Sequence, residues 1–406
     1  MLASGPATNE YYPPSSATFD PAIHLAYTPP ASKLTMSDIG LPSQGISPIA
    51  VTEPFSLMSV EGVRQLRQDI LSTDVLEKYT VASKLAACQS REFPKTVTPF
   101  VHQVWKHPEV LRIVSEAAGI ELEPVMDLEL GHVNHQLGPK GKDGIREISG
   151  VDPRPTPPAL NVDQLKALSD ADLGSSEQNV VGWHYDSYPF VCVLMLSDVS
   201  NMIGGETAVR RGDGGVTKVR GPGVGSAVVM QGRHVRHVAL RSYNAAERIT
   251  MVTSFRAKDP RIMDASVLTT IHPITKRNRI NYQWSLYRLK LLSERFAATA
   301  RDLELAHAAL PPDDDKDGLG GSEVVKVEEM EKWIREQVGY LERTGKELAK
   351  TVEKESGDAY LNMTGPGTVV SVASANIADK VMRGRMWGVG AGVLLCVFGA
   401  AQWALS

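Results

Sequence analysis

From residue 125 to about 256 the chain is written in short apolar runs punctuated by glycine and proline, and no other feature constrains its fold as much. The runs are "VMDLELGHVNHQ", "VVGWHYD", "FVCVLMLSD", "GGETAVRRGDGGVTKVRGPGVGSAVVMQG", "RHVRHVAL" and "RITMVTSFR". Runs of this length with glycine turns between them predict an antiparallel β sandwich or barrel. Helical spacing returns on either side. "SVEGVRQLRQDIL" (59–71) and "PFVHQVWKHPEVLRIVSEAAGI" (99–120) place apolar residues three and four apart, and "NRINYQWSLYRLKLLSERFAATARDLELAHAAL" (278–310) reads as one long helix.

These textures divide the chain. Residues 1–50, rich in Pro, Ser, Thr and Gly, read as a poorly ordered arm. An N-terminal helical layer (51–120), the β core (121–260) and C-terminal helices (261–355) follow. The polar excursion 146–179 is too long for a tight turn, and reads as a lid or as a plain surface insertion. Within 322–355, Val327, Ile334, Leu341 and Leu348 recur every seventh residue. They offer either a short coiled-coil seam for weak self-association or, the favoured reading, a face docked back on the core. A linker (356–385) leads to "MWGVGAGVLLCVFGAAQWAL" (386–405). It is uncharged, bracketed by Trp387 and Trp403 and preceded by Lys380, Arg383 and Arg385. As a helix it would span about 30 Å, a bilayer's hydrocarbon thickness, so a transmembrane tail anchor with the body on the cytoplasmic face is expected. Its glycines and Gln402 leave a docked apolar tail as the alternative.

Composition narrows the partners. Apolar residues at 42% and charged residues at 22% fit a folded chain, and a net charge of −4 gives no electrostatic case for nucleic acid. Three widely spaced cysteines, with no Cys-x-x-Cys, suit a reducing, cytoplasmic setting. The N-terminus shows neither the basic nor the apolar region of a secretory signal.

The chemistry centres on "GWHYDSYPF" (182–190). With 10 histidines in the chain, a His-x-Asp arises by chance in roughly half of such sequences, so the motif alone decides nothing. On a strand, however, His184 and Asp186 would face one side, and a third ligand from a later strand would complete two histidines and a carboxylate. That set leaves one face of an octahedral metal open. His234 and His237 both stand at a suitable distance along the chain. Further on, Arg248 and Thr250 could share a strand face, where a guanidinium fork and a hydroxyl would hold a distal carboxylate.

Taken together, His-x-Asp, a histidine about fifty residues on and Arg-x-Thr about ten later resemble the Fe(II)- and 2-oxoglutarate-dependent dioxygenases. "GWHYDSYPFVCVLMLSD", "GGETAVRRGDG", "VRGPGVGSAVVMQGR" and "ERITMVTSFR" look more narrowly like a fungal (ascomycete) group of that superfamily. The resemblance covers about residues 50–300. It implies a mainly β fold with flanking helices and a double-stranded β-helix (jelly-roll) core. It also implies His184, Asp186 and His237 as Fe(II) ligands, and Arg248 with Thr250 on 2-oxoglutarate. His237 is preferred to His234 for its spacing to Arg248 and for the family's Gly-Arg-x-x-x-His pattern. The implied reaction uses dioxygen, converts 2-oxoglutarate to succinate and carbon dioxide, and oxidises a substrate C–H bond, hydroxylation being the default. Two departures matter: prolyl-hydroxylase-like members carry Lys where this chain has Arg248, and halogenases lack the metal carboxylate that Asp186 supplies.

Other residues have plainer readings. In "HVNH", His132 and His135 cannot both face one metal from a regular strand. One is expected to line the interior and the other to be solvated, with Asn134 a candidate contact to the co-substrate. Trp183, Tyr185 and Tyr188 are candidate substrate contacts, although aromatics beside a strand are more often core. "GPKGKDG" and "GPGVGS" lack the context of phosphate loops. The expected function is a dioxygenase acting on a small organic molecule. Hydroxylation of a protein side chain and a non-catalytic, membrane-tethered jelly-roll adaptor are the alternatives.

Overall fold

The computed structural model describes residues 11–81, 88–136, 151–167 and 182–350, apart from 222, 241, 273 and 311–323. Its spine is the strand Arg248–Ala257, buried along its whole length. Strand pairing occupies both edges: Val252 lies opposite Val193 of Phe190–Met195 on one side, and Thr250 opposite Asn134 of His132–Gln136 on the other. Side chains therefore sort by parity. Ile249, Met251 and Phe255 enter a core shared with the N-terminal helices, while Arg248, Thr250, Val252 and Ser254 line an internal cavity.

Among the described residues the large sheet has ten strands. Eight follow the path Lys33–Thr35, Ile49–Thr52, Ser226–Met230, Phe190–Met195, Arg248–Ala257, His132–Gln136, Gln89–Ser90, Thr80–Val81, and two lie off it, Phe55–Ser56 on Ser226–Met230 and Leu122–Pro124 on Arg248–Ala257. A smaller sheet orders Val216–Val219, Thr207–Arg210 and His237–Ala239, and its pairings, like those of the large sheet, are antiparallel. The cavity lies between the two, with Val191, Val193 and Met230 from one and Thr207, His237 and Ala239 from the other. The mainly antiparallel, two-layered architecture expected from the sequence is thus observed.

Helices cover the outer face of the large sheet. Val60–Ile70 starts at Ser59, whose hydroxyl accepts from the Gly62 N–H, and buries Val63, Leu66 and Ile70. The stretch expected as one helix over 99–120 is two, Pro99–Lys106 and Pro108–Ala118. Pro108 holds His107 extended and cannot donate a helical hydrogen bond, so the first helix stops and a second begins with proline in its first turn. Trp105, Val101 and Ile113 then pack in one cluster with Met251 and Phe255.

At the other end, Arg277–Ala308 and Val327–Lys350 form a helix pair around Trp284, Tyr287, Leu291 and Tyr340. The second helix docks back, but not through the heptad residues alone. Gln337, Tyr340, Thr344 and Glu347 are buried, Leu341 and Leu348 partly so, and Val327 and Ile334 are exposed. Buried polar positions on that face are matched by arginines of the long helix: Arg295 Nη1 donates to Gln337 Oε1 at 2.9 Å, and Arg288 Nε to Thr344 Oγ1 at 3.0 Å.

One expectation is overturned. Residues 11–50 are not a loose arm: Phe19, Met36, Ile39 and Ala50 are buried, and Lys33–Thr35 pairs with Ile49–Thr52. The Ser15 N–H donates to buried Asp69, fixing the segment to the first long helix. Its few apolar residues are anchors without periodicity, which is why composition hid them. No helix among the described residues is long and apolar enough to cross a membrane. The segment 386–405, the linker 356–385 and residues 146–150 and 168–179 of the polar excursion lie outside the described residues, though 162–167 is a short helix.

Candidate metal centre

His184 and His237 come together through a single rung of backbone pairing, each N–H donating to the other's carbonyl at 3.0 Å. Asp186 follows in extended chain rather than in a regular strand, its N–H donating to the Gly232 carbonyl at 2.9 Å. One ligand atom from each of the three side chains falls within 4.8 Å of the others. Asp186 sits between the imidazoles, Oδ1 at 3.5 Å from His184 Nε2 and Oδ2 at 3.6 Å from His237 Nε2.

Ring orientation is fixed from behind. His184 Nδ1 lies 2.8 Å from the Gly182 carbonyl and His237 Nδ1 2.9 Å from that of Val235. A carbonyl only accepts, so both Nδ1 atoms carry the proton and both Nε2 lone pairs face the carboxylate. Burial opposes ionisation of Asp186, but the two histidines outweigh it and hold the carboxyl at about 2. Burial also pulls His237 below the usual histidine range, whereas at His184 the Asp186 carboxylate overcomes burial and raises it. An ionised carboxylate flanked by two inward Nε2 atoms is a donor set for a divalent cation, and a facial arrangement of this composition suits Fe(II).

Comparison with known proteins yields distant likenesses. No protein-family model matches the chain, and no curated protein matches it. A prolyl-4-hydroxylase from Pseudomonas putida is 16% identical, with 49% of this chain and 88% of that one covered and a TM-score of 0.28. An oxidoreductase of the 2OG-Fe(II) oxygenase family from Burkholderia pseudomallei is 15% identical, covering 44% and 64%, with a TM-score of 0.24. A bsmA homolog from Methylobium petroleophilum is 13% identical, covering 56% and 95%, with a TM-score of 0.27. All three are bacterial, so the narrower fungal resemblance gains nothing from them.

The rest of the site follows from strand parity. Arg248 and Thr250 both face the cavity, which has a volume of about 220 Å³. Arg248 is 7% exposed and its Nε has no hydrogen-bond partner. Among the described residues no carboxylate pairs with it, and burial alone pushes its guanidinium down to about 10. Asn134 lines the cavity too, but its Oδ1 already accepts from Gln89 Nε2 at 2.6 Å.

The remaining candidates separate. His234 is in the turn before its strand, buried away from the metal cluster, and burial lowers it to about 4. His132 lines the cavity, whereas His135 is not solvated, as one of the pair was expected to be, but buried with Nε2 at 2.8 Å from the Ser90 hydroxyl. Strand alternation sends them to opposite faces, and the helical layer rather than solvent covers the second. Tyr188 lines the cavity; Trp183 and Tyr185 do not. Trp183 instead packs on Val238 and Leu240, with the Arg210 guanidinium 4.4 Å from its ring centre. Gln89, Arg91 and Glu129, which no motif marked, also shape the site, as does Gly232, the glycine of the Gly-Arg-x-x-x-His pattern.

Proposed function

We propose that the chain is an Fe(II)- and 2-oxoglutarate-dependent dioxygenase that oxidises, by default hydroxylates, a small organic substrate. One observation carries this: a His–Asp–His cluster shares a cavity with a buried guanidinium that has no counter-ion among the described residues. An unpaired buried charge is costly, and a dicarboxylate co-substrate would offset it by accepting the guanidinium's hydrogen bonds at its far carboxylate. The alternation of the core strands between the larger and smaller sheets supports a jelly-roll reading of the sandwich.

His184, Asp186 and His237 would hold the iron, with the carbonyls of Gly182 and Val235 locking the imidazole tautomers. Arg248 and Thr250 would orient the keto acid. Val191, Val193, Met230 and Val252 form an apolar wall that limits water near the reacting groups. Iron, when bound, supplies dioxygen activation. A cavity lined mostly by buried side chains favours a small molecule over a protein side chain as substrate.

The test is anaerobic addition of Fe(II) and 2-oxoglutarate. A visible metal-to-ligand charge-transfer band is expected for the wild type and not for His184→Ala. Well-folded wild type without the band would overturn the reading. Tethering through 386–405 is a further part of the proposal; it requires carbonate-resistant membrane association that disappears on deleting 386–406.

A further inference from the structure

The register of the sheet puts Arg248 opposite Gln136, at one end of the His132–Gln136 strand. Glu129 precedes the other end, at the close of a short 3-10 turn, and Arg91 follows the neighbouring strand Gln89–Ser90. Tyr188 arrives from the chain leading into Phe190–Met195. All four of Gln89, Arg91, Glu129 and Tyr188 line the cavity: Arg91 and Glu129 stand toward the His132 end, while Gln89 lies opposite Asn134, level with Thr250.

This wall is polar, buried and incompletely bonded. Arg91, Glu129 and Tyr188 are 4%, 1% and 2% exposed. Arg91 Nη2 donates to Glu129 Oε1 at 2.9 Å, which leaves Arg91 Nε and Glu129 Oε2 without hydrogen-bond partners. Gln89 commits its Nε2 to Asn134, and its Oε1 is likewise unpartnered. The Tyr188 hydroxyl lies beside the Glu129 carboxyl but outside hydrogen-bond geometry. Buried polar atoms are nearly always bonded in folded proteins, so several orphans in one wall point to a ligand that completes them.

Charge and polarity specify that ligand. The Arg91–Glu129 ion pair carries no net charge, so the wall offers neither sign in excess to an ionic group. A carboxylate would meet the acceptor oxygens of Glu129 and Gln89, and an ammonium would meet the guanidinium. The wall's buried atoms without partners are one N–H donor, two acceptor oxygens and a hydroxyl able to do either. We propose that this wall recognises the substrate, and that the group it takes is a neutral carboxamide. The carbonyl accepts from Arg91 Nε and Tyr188, and the N–H donates to Glu129 Oε2 or Gln89 Oε1. The assignment to substrate rests on the dioxygenase reading.

Anaerobic calorimetric titration of the full chain with Fe(II) and 2-oxoglutarate tests it, using cyclohexanecarboxamide, cyclohexanecarboxylate and cyclohexylmethylamine as shape-matched probes. The carboxamide is expected to bind at least tenfold tighter than either charged probe. Tyr188→Phe and Gln89→Leu, which keep the ion pair, should each weaken it at least fivefold. Glu129→Gln should release Arg91 and strengthen carboxylate binding at least tenfold. A charged probe binding wild type as tightly as the carboxamide would overturn the proposal. So would no probe binding, or carboxamide affinity unchanged in both Tyr188→Phe and Gln89→Leu. Titrating 2-oxoglutarate separately, and the probes against metal-free protein, distinguishes failure of this wall from failure of the dioxygenase reading.

Discussion

Gly232 shows how tightly the candidate metal centre is built. A Cβ there would lie 1.8 Å from Asp186 Oδ2, so the carboxylate occupies the volume a side chain would need. Gly232→Ala should therefore push Asp186 out of line and lower Fe(II) affinity about 10- to 100-fold with the circular dichroism unchanged. Arg248→Met should leave metal affinity intact. The loss of charge-assisted hydrogen bonds, about 2–3 kcal/mol, should raise the 2-oxoglutarate dissociation constant roughly 30- to 150-fold in a calorimetric titration. His135 reports on pH. Burial lowers it from 6.5 to about 3, so below about pH 6.5 the unfolded chain takes up a proton that the folded chain refuses. Its contribution to stability is present above that pH and is lost as pH falls toward 3. At pH 5 this loss is about 2 kcal/mol, and chemical denaturation of His135→Gln at pH 7 and pH 5 should show a correspondingly smaller pH effect. At this scale the sequence spoke through motif spacing: His184, Asp186, His237, Arg248 and Thr250, singled out by their offsets along the chain, all line one cavity. Arg91 and Glu129 were not legible, since they meet the site only through tertiary contact, and Gly232 stood in a quoted pattern whose spacing did not reveal its contact with Asp186.

At the scale of elements, the C-terminal helix pair braces the cavity rim. Glu347 Oε2 accepts from the Leu268 N–H at 2.8 Å, and Thr270, Ile271 and Ile274 of the segment that follows line the cavity. The rim is also tied from inside, the Ser187 and Thr270 hydroxyls lying 2.6 Å apart. Glu347→Ala should cost about 1–3 kcal/mol by orphaning a buried N–H, and should speed amide exchange in 267–272 while 2-oxoglutarate affinity holds. Long periodic elements were the most readable: the helix expected at 278–310 spans Arg277–Ala308. The docking face of the last helix was harder. Its buried positions include Gln337, Thr344 and Glu347, polar residues whose burial depends on partners that no local pattern announces.

For the molecule as a whole, the sandwich was legible from the rhythm of runs and glycines, because strand alternation leaves a period that survives without tertiary information. The order of strands was not, and neither was the packing of residues 11–50 into the body, which rests on isolated anchors such as Phe19 and Met36. The rung joining His184 to His237 has a consequence at this scale. Two imidazoles about fifty residues apart in the chain meet because the smaller sheet closes on one reciprocal pair of amides. That pair works as a clasp: a cation held by the side chains fastens it from the front, and opening the sheet edge releases both ligands at once. Under the proposed function, loss of the cation and edge fraying are expected to be one event, visible as joint deprotection of the His184 and His237 amides when a chelator is added to the Fe(II)-loaded protein.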